Sequence, residues 1–241
     1  MTNIQTTKEK QLPTVAQWGG AAQLSPKDIM IPKLQIMQST SDQVKKGNAK
    51  YGEVRDNVKQ GLLADLTKPF TCVPFHVVKK WEVNEVKIVG RDEEVTFRPD
   101  LSVLITTQNE DLPREEELDA VTTLRRRTVY QFFVLLEGHS LPCVLDLKSF
   151  NETPAKQLIT QMYIANAEEG KVPPAYTATF QPKTRTNKKN QEFIVLDFKV
   201  GRESTAEEIA KAFKWYQQVS KGAAKVAEDD LDAQPDEAVP F

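Results

Sequence analysis

Basic side chains stand beside aromatic ones at three places in this 241-residue chain. Lys79 and Lys80 precede Trp81, and Arg125, Arg126 and Arg127 precede Tyr130. Lys183, Arg185, Lys188 and Lys189 lie between Tyr176 and Phe180 on one side and Phe193 on the other. This pairing suits single-stranded nucleic acid: cations track its phosphates and rings stack its bases, each stacked base contributing about 1–3 kcal/mol. Each group has a plainer reading beside it. Trp81 and Tyr130 also fit a core, and the three arginines also fit as counter-charges to acids just upstream. Phe193 is the best single stacking candidate, because strand alternation sets it opposite Ile194, Leu196 and Phe198.

Catalytic chemistry finds less to use. His76 and His139 are the two histidines, and neither has a second His or Cys at metal-ligand spacing, so each reads as a core or surface residue. No phosphate-binding glycine loop, dinucleotide fingerprint or nucleophile elbow is present. The acids at 92–94 and 115–117 have the composition of a metal-dependent nuclease site, but such clusters in a charged segment usually form a solvated face. The expectation is a binding protein, not an enzyme, with no cofactor and no metal.

The elements that would position these residues follow from periodicity. Residues 175–201 form two aromatic-bearing, alternating segments joined by a basic loop with Pro182, Asn187 and Asn190, which predicts a β-hairpin with a long basic finger. Phe70 to Trp81 is a long strand candidate. Residues 82–128 form a charged excursion that reads as a hairpin or elaborated loop inserted between core strands, and strands resume at 128–138 and 141–149. A helix is predicted near 153–170, with Thr153 as cap, Pro154 in its first turn and Gly170 as terminator. A last helix opens on a capping box, Ser204 to Glu207, with Ile209, Ala212, Phe213, Tyr216 and Val219 as its apolar stripe. Pro32 interrupts the dense apolar stretch Ile29–Met37, which therefore reads as an extended or edge segment against the core.

Strands, a helix and a closing hairpin is the order of an oligonucleotide-binding barrel, whose helix lies between the third and fourth strands. The expected class is mainly β with α (α+β), an elaborated OB-fold-like five-stranded barrel with a C-terminal helix. Residues 1–24 read as a flexible arm, 25–226 as the binding domain with its 82–128 insertion, and 227–241 as a disordered acidic tail.

Net charge is −2, which hides an asymmetry. Residues 228–241 hold six of the 34 acids and no Lys or Arg, leaving 32 basic against 28 acidic residues before them, net +4. No run approaches the roughly 18 apolar residues of a membrane span, and the first residues are polar, so an intracellular, cytoplasmic protein with no membrane partner is expected. Cys72 and Cys143 sit in apolar runs and read as buried free thiols.

The ending EDDLDAQPDEAVPF resembles the tail of bacterial and bacteriophage single-stranded DNA-binding proteins, with Pro240 and Phe241 its most specific part. The resemblance covers about fourteen residues and is nearer the T7-like phage kind than the compact bacterial barrel. It implies that Asp229, Asp230, Asp232, Asp236, Glu237, Pro240 and Phe241 dock replication and recombination proteins and that the acids compete with DNA. It differs in having Ala238 and Val239 where that family keeps acids beside the terminal Pro-Phe. The function expected is phage single-stranded DNA binding, with a homo-oligomer compatible with the sequence. A phage strand-annealing recombinase, or a virion or assembly protein with a solubilising tail, are the alternatives.

Overall fold

In a computed structural model of the chain, the residues described are 30–58, 61–139, 141–170, 173–187, 190–221 and 225–226. The first elements are β1 (Met30–Ile31), β2 (Lys33–Ile36), α1 (Asp42–Lys45), β3 (Val54–Asp56) and β4 (Leu62–Ala64). Then come β5 (Phe70–Val89), β6 (Asp92–Phe97), β7 (Glu115–Glu117), β8 (Thr122–Leu136) and β9 (Pro142–Lys148). α2 (Glu152–Glu169), β10 (Tyr176–Thr186), β11 (Glu192–Glu203), α3 (Ala206–Ser220) and β12 (Lys225–Val226) complete the order. The protein is mainly β with a few helices, built on one open mixed sheet in the order β11-β10-β5-β8-β9-β2-β3-β4.

The frame of that sheet is the β5–β8 ribbon, paired antiparallel from Cys72–Leu136 to Lys87–Thr122. Pro74 has no N–H to give to a ladder, and the register shifts between Pro74 and His76, where a bulge accommodates it. The predicted hairpin is β10–β11, paired from Tyr176–Glu203 to Thr186–Glu192. Its predicted inner face is inner: Ile194 and Leu196 are buried and Phe198 packs against the core, while Val200 lies beyond it and is exposed.

Both faces of the sheet carry core. On one, Phe132, Leu145, Leu147, Phe180 and Leu196 pack with Ala155 and Leu158 of α2. On the other, Ile31, Val73, Phe75, Phe133 and Val144 pack with Ala212 and Trp215 of α3. Cys72 and Cys143 are buried free thiols, and burial pushes the Cys72 thiol far up.

Several expectations need correction. The sheet does not close into a barrel, because β9 pairs with β2 in parallel and not with β11. The edge of β11 is held by side chains instead of a strand. The Ile194 N–H donates to Gln38 Oε1 at 2.9 Å, Gln38 Nε2 donates back to the Ile194 carbonyl at 3.0 Å, and the Leu196 N–H donates to Asn151 Oδ1 at 2.8 Å. Pro32 separates β1 from β2 and does not make an edge of the segment: β2 lies between β9 and β3. Of the two readings of the 82–128 excursion, the hairpin holds and the elaborated loop does not: β5 and β8 continue outward as an antiparallel arm flanked by β6 and β7.

The helix ends shift by a residue. α2 begins at Glu152, directly after a 3-10 turn at Ser149–Asn151, so Thr153 is already helical. The capping box of α3 is Thr205 with Glu208, and the stripe it buries is Ala212 and Trp215, leaving Phe213 and Tyr216 largely exposed.

Candidate nucleic-acid interface

Between β2 and the start of β11, where the sheet stays open, there is a groove of about 860 Å³. β2 and the turn after it form one wall, the Ser149–Asn151 turn another, and the start of β11 the third. Ser149 has a positive φ of 53°, a conformation that costs a non-glycine residue about 1–3 kcal/mol. The kink throws Phe150 outward, where its ring is 58% exposed. There it stacks on Phe193, with centroids 3.9 Å apart and planes at 25°. Arg185 is the register partner of Phe193 on β10, so its side chain leaves the same face, where its guanidinium lies 3.4 Å from Asp197.

The floor is charged and largely paired. Asp146, 7% exposed, lies 3.0 Å from Lys33 Nζ and 3.9 Å from Lys80 Nζ, and accepts from Gln131 Nε2 at 2.9 Å. Burial opposes its ionisation, but Lys33, Lys80 and Gln131 outweigh burial and hold the carboxyl below the usual carboxylate range. Lys148 Nζ reaches Glu82 at 2.6 Å. Arg127 is exposed at the groove edge and has no carboxylate partner among the described residues.

The predicted residues divide accordingly. The groove gathers Arg127 and Phe193, and Lys80 touches it only through Asp146 of its floor; Lys183 and Arg185 lie outside the groove lining, on the hairpin face that carries Phe193, and share one acid, Asp197. The hydrogen bond from Lys183 leads the effects that hold Asp197 below the usual carboxylate range against its partial burial.

Trp81 is not a stacking platform. Its ring is buried with Val83, Leu124 and Ile105, and its indole N–H donates to the Asn109 carbonyl at 3.0 Å. Lys79 is exposed but alternates to the opposite face from Lys80. Arg125 is held by Glu93 and Glu115, and Arg126 by Glu116 and the Pro113 carbonyl, so these two neutralise the acidic excursion. Tyr176 begins β10, at the end away from the finger. Lys188, Lys189 and the tail residues Asp229, Asp230, Asp232, Asp236, Glu237, Pro240 and Phe241, like the 1–24 arm, lie outside the described residues.

Sequence reasoning passed over Phe150, Lys33 and Lys148. The signal for Phe150 was a ring immediately after a strand and before a helix start, a position that alternation alone does not bury. His76 packs edge-on to Tyr216 and beside Phe133, and burial lowers its pKa. Among the described residues no group of three His, Cys, Asp or Glu side chains is placed to hold a metal, and no helix is long and apolar enough to cross a membrane. Residues 7–225 match a protein family described as Pam3 phage gp34-like protein. No curated protein and no solved structure matches the chain.

Proposed function

The chain belongs to the Pam3 phage gp34-like protein family, and from that premise we propose that it is a non-enzymatic single-stranded DNA-binding protein acting in phage replication or recombination in the host cytoplasm. The observation that carries the reading is the Phe150–Phe193 ring pair at the lip of the groove, with Arg185 on the same face of the hairpin and Arg127 at the groove edge. Rings for bases and cations for phosphates meet there at one place.

The five long strands pair as β11-β10-β5-β8-β9, with α2 between β9 and β10. That is the neighbour order of an oligonucleotide-binding barrel cut open between its third and fifth strands, and the groove lies over the cut. The acidic tail would then recruit replication and recombination proteins through Phe241.

The test is a titration of fluorescent oligothymidine, with duplex of equal length as control. Phe150→Ala and Phe193→Ala should each weaken single-strand binding by about 1–3 kcal/mol while leaving the fold intact. Equal affinity for duplex, or full affinity in both variants, sinks the reading. Deleting Phe241 alone should leave DNA affinity unchanged and abolish capture of replication proteins; retained capture removes the tail from the proposal.

A further inference from the structure

The groove leaves the arm unexplained. From His76–Phe133 to Lys87–Thr122 the β5–β8 register runs without a shift, so His76, Glu82, Asn84, Val86 and Ile88 all share one face. The His76 ring meets Tyr216, 5.3 Å away, which makes it the face that carries α3.

At the far end of that face is an apolar patch. Val86 is buried at its centre, with Val95 as its register partner on β6 and Ile88 two residues on. The Ile88 N–H donates to the Val121 carbonyl at 2.8 Å, which sets Val121 opposite Ile88, and Phe97 follows Val95 on the same face. Ile88 is 52% exposed, Val95 60%, Phe97 54% and Val121 45%. Together they present about 400 Å² of apolar surface, within the range of the largest patch on a typical monomer, which is often functional. The cation on its rim, Arg125, is already held by Glu93 at 2.8 and 2.9 Å and by Glu115.

Charge identifies what fits. Residues 82–128 contain 12 acidic and 7 basic residues, net −5, whereas the rest of the chain before residue 228 contains 16 acidic and 25 basic, net +9. An arm of net −5 repels phosphate and attracts a basic, partly apolar protein surface. This chain carries one on α3. Phe213 and Tyr216 stack with centroids 6.4 Å apart, 57% and 40% exposed. From Ile209 to Lys221 the sequence has Lys211, Lys214 and Lys221 and no acid.

We infer that the occupant is a second copy of this chain, the arm patch of one copy seating on the Phe213–Tyr216 flank of the other. Both surfaces lie on one face of the sheet, ten residues of β5 apart, about 33 Å at 3.3 Å per residue. A twofold pair therefore makes the contact twice, since where one residue meets a second, the second meets the first. Two such contacts bury about 1,600 Å², the size of a stable interface.

The experiment is sedimentation equilibrium of the full chain without DNA, alongside titration of a short oligothymidine. Wild type should run at twice 27.2 kDa. Its association should weaken about tenfold between about 50 and 500 mM salt, because opposite charges meet across the contact. V95S/F97S and F213S/K214E should each be monomeric, with native circular dichroism and unchanged affinity for the short oligonucleotide. An equal mixture of the two should recover a weaker heterodimer, which keeps one of the two contacts. A wild type that stays monomeric at low salt, a dimer that survives F213S/K214E because arm meets arm, or association that strengthens with salt overturns the inference. The single variant Val95→Ser gives the same readout if the double variants fail to fold. Short-oligonucleotide affinity reports on the DNA-binding reading separately, so the two can fail independently.

Discussion

Replacing Gln38 tests whether side chains hold the seam in place of a strand. Ile194 is 1% exposed, and its N–H and carbonyl both bond to the Gln38 amide, at 2.9 and 3.0 Å. Gln38→Ala removes two neutral hydrogen bonds of about 1 kcal/mol each and exposes Ile194 to part of the desolvation cost of unpaired groups. Water entering from the groove recovers some of that, so the expected loss is about 2–3 kcal/mol. Gln38→Met should do no better despite its bulk, since it fills the space, excludes the water and pairs with nothing. The assay is urea unfolding followed by tryptophan fluorescence, with native-state hydrogen exchange read at two amides. Exchange at Ile194 should speed up markedly, while the Leu196 amide, held by Asn151, serves as the internal control. An unchanged urea midpoint together with unchanged Ile194 protection would refute the reasoning and mean that the seam is held elsewhere.

The remaining predictions concern charge. If Lys183, Arg185, Lys188 and Lys189 all contact phosphate, changing all four to Ala should flatten the slope of log K against log salt by about 3, at about 0.7 per phosphate. Because Asp197 holds both Lys183 and Arg185, Asp197→Asn should tighten single-strand binding and steepen that slope; an unchanged slope counts against the finger. Glu208 is held down to about 2 from 4.5, chiefly by the hydrogen bond from Arg202. A depressed carboxyl stabilises the fold above its unfolded pKa, so this contribution is whole above about pH 4.5 and is lost as pH falls toward 2. Screened as it is at the surface, it amounts to about 1 kcal/mol, and urea midpoints of Glu208→Gln should lose that part of their pH dependence.

How much was legible in the sequence followed from how local each cause was. The β10–β11 hairpin and its buried face could be read from alternation because both strands and their turn lie within 28 residues. The capping box of α3 was misplaced by one because Ser204–Glu207 and Thr205–Glu208 both satisfy the pattern. A distant contact decided it: the Ser204 N–H donates to the Ala175 carbonyl at 2.7 Å, which fixes Ser204 outside the helix. Trp81 looked like a stacking ring because what buries it, Ile105 and the Asn109 carbonyl, lies more than twenty residues on in a segment without periodicity. Phe150 and Phe193 stack across 43 residues, and nothing local to either announces the other. Barrel closure was misread for the same reason, since strand order is visible in sequence but the occupant of the last edge is not.

The Gln38–Ile194 tie spans 156 residues, and β2 also needs β9, more than a hundred residues downstream. A ribosome adds about 5–20 residues per second, so Ile31, Leu34 and Met37 emerge about 8–30 s before the strand that completes their seam exists. Until then these three apolar side chains, all buried at the end, have no native partner from β11. The nascent chain is thus most prone to sticking to its neighbours at its oldest end, and Pro32, which interrupts that segment, limits how long a stray strand it can offer.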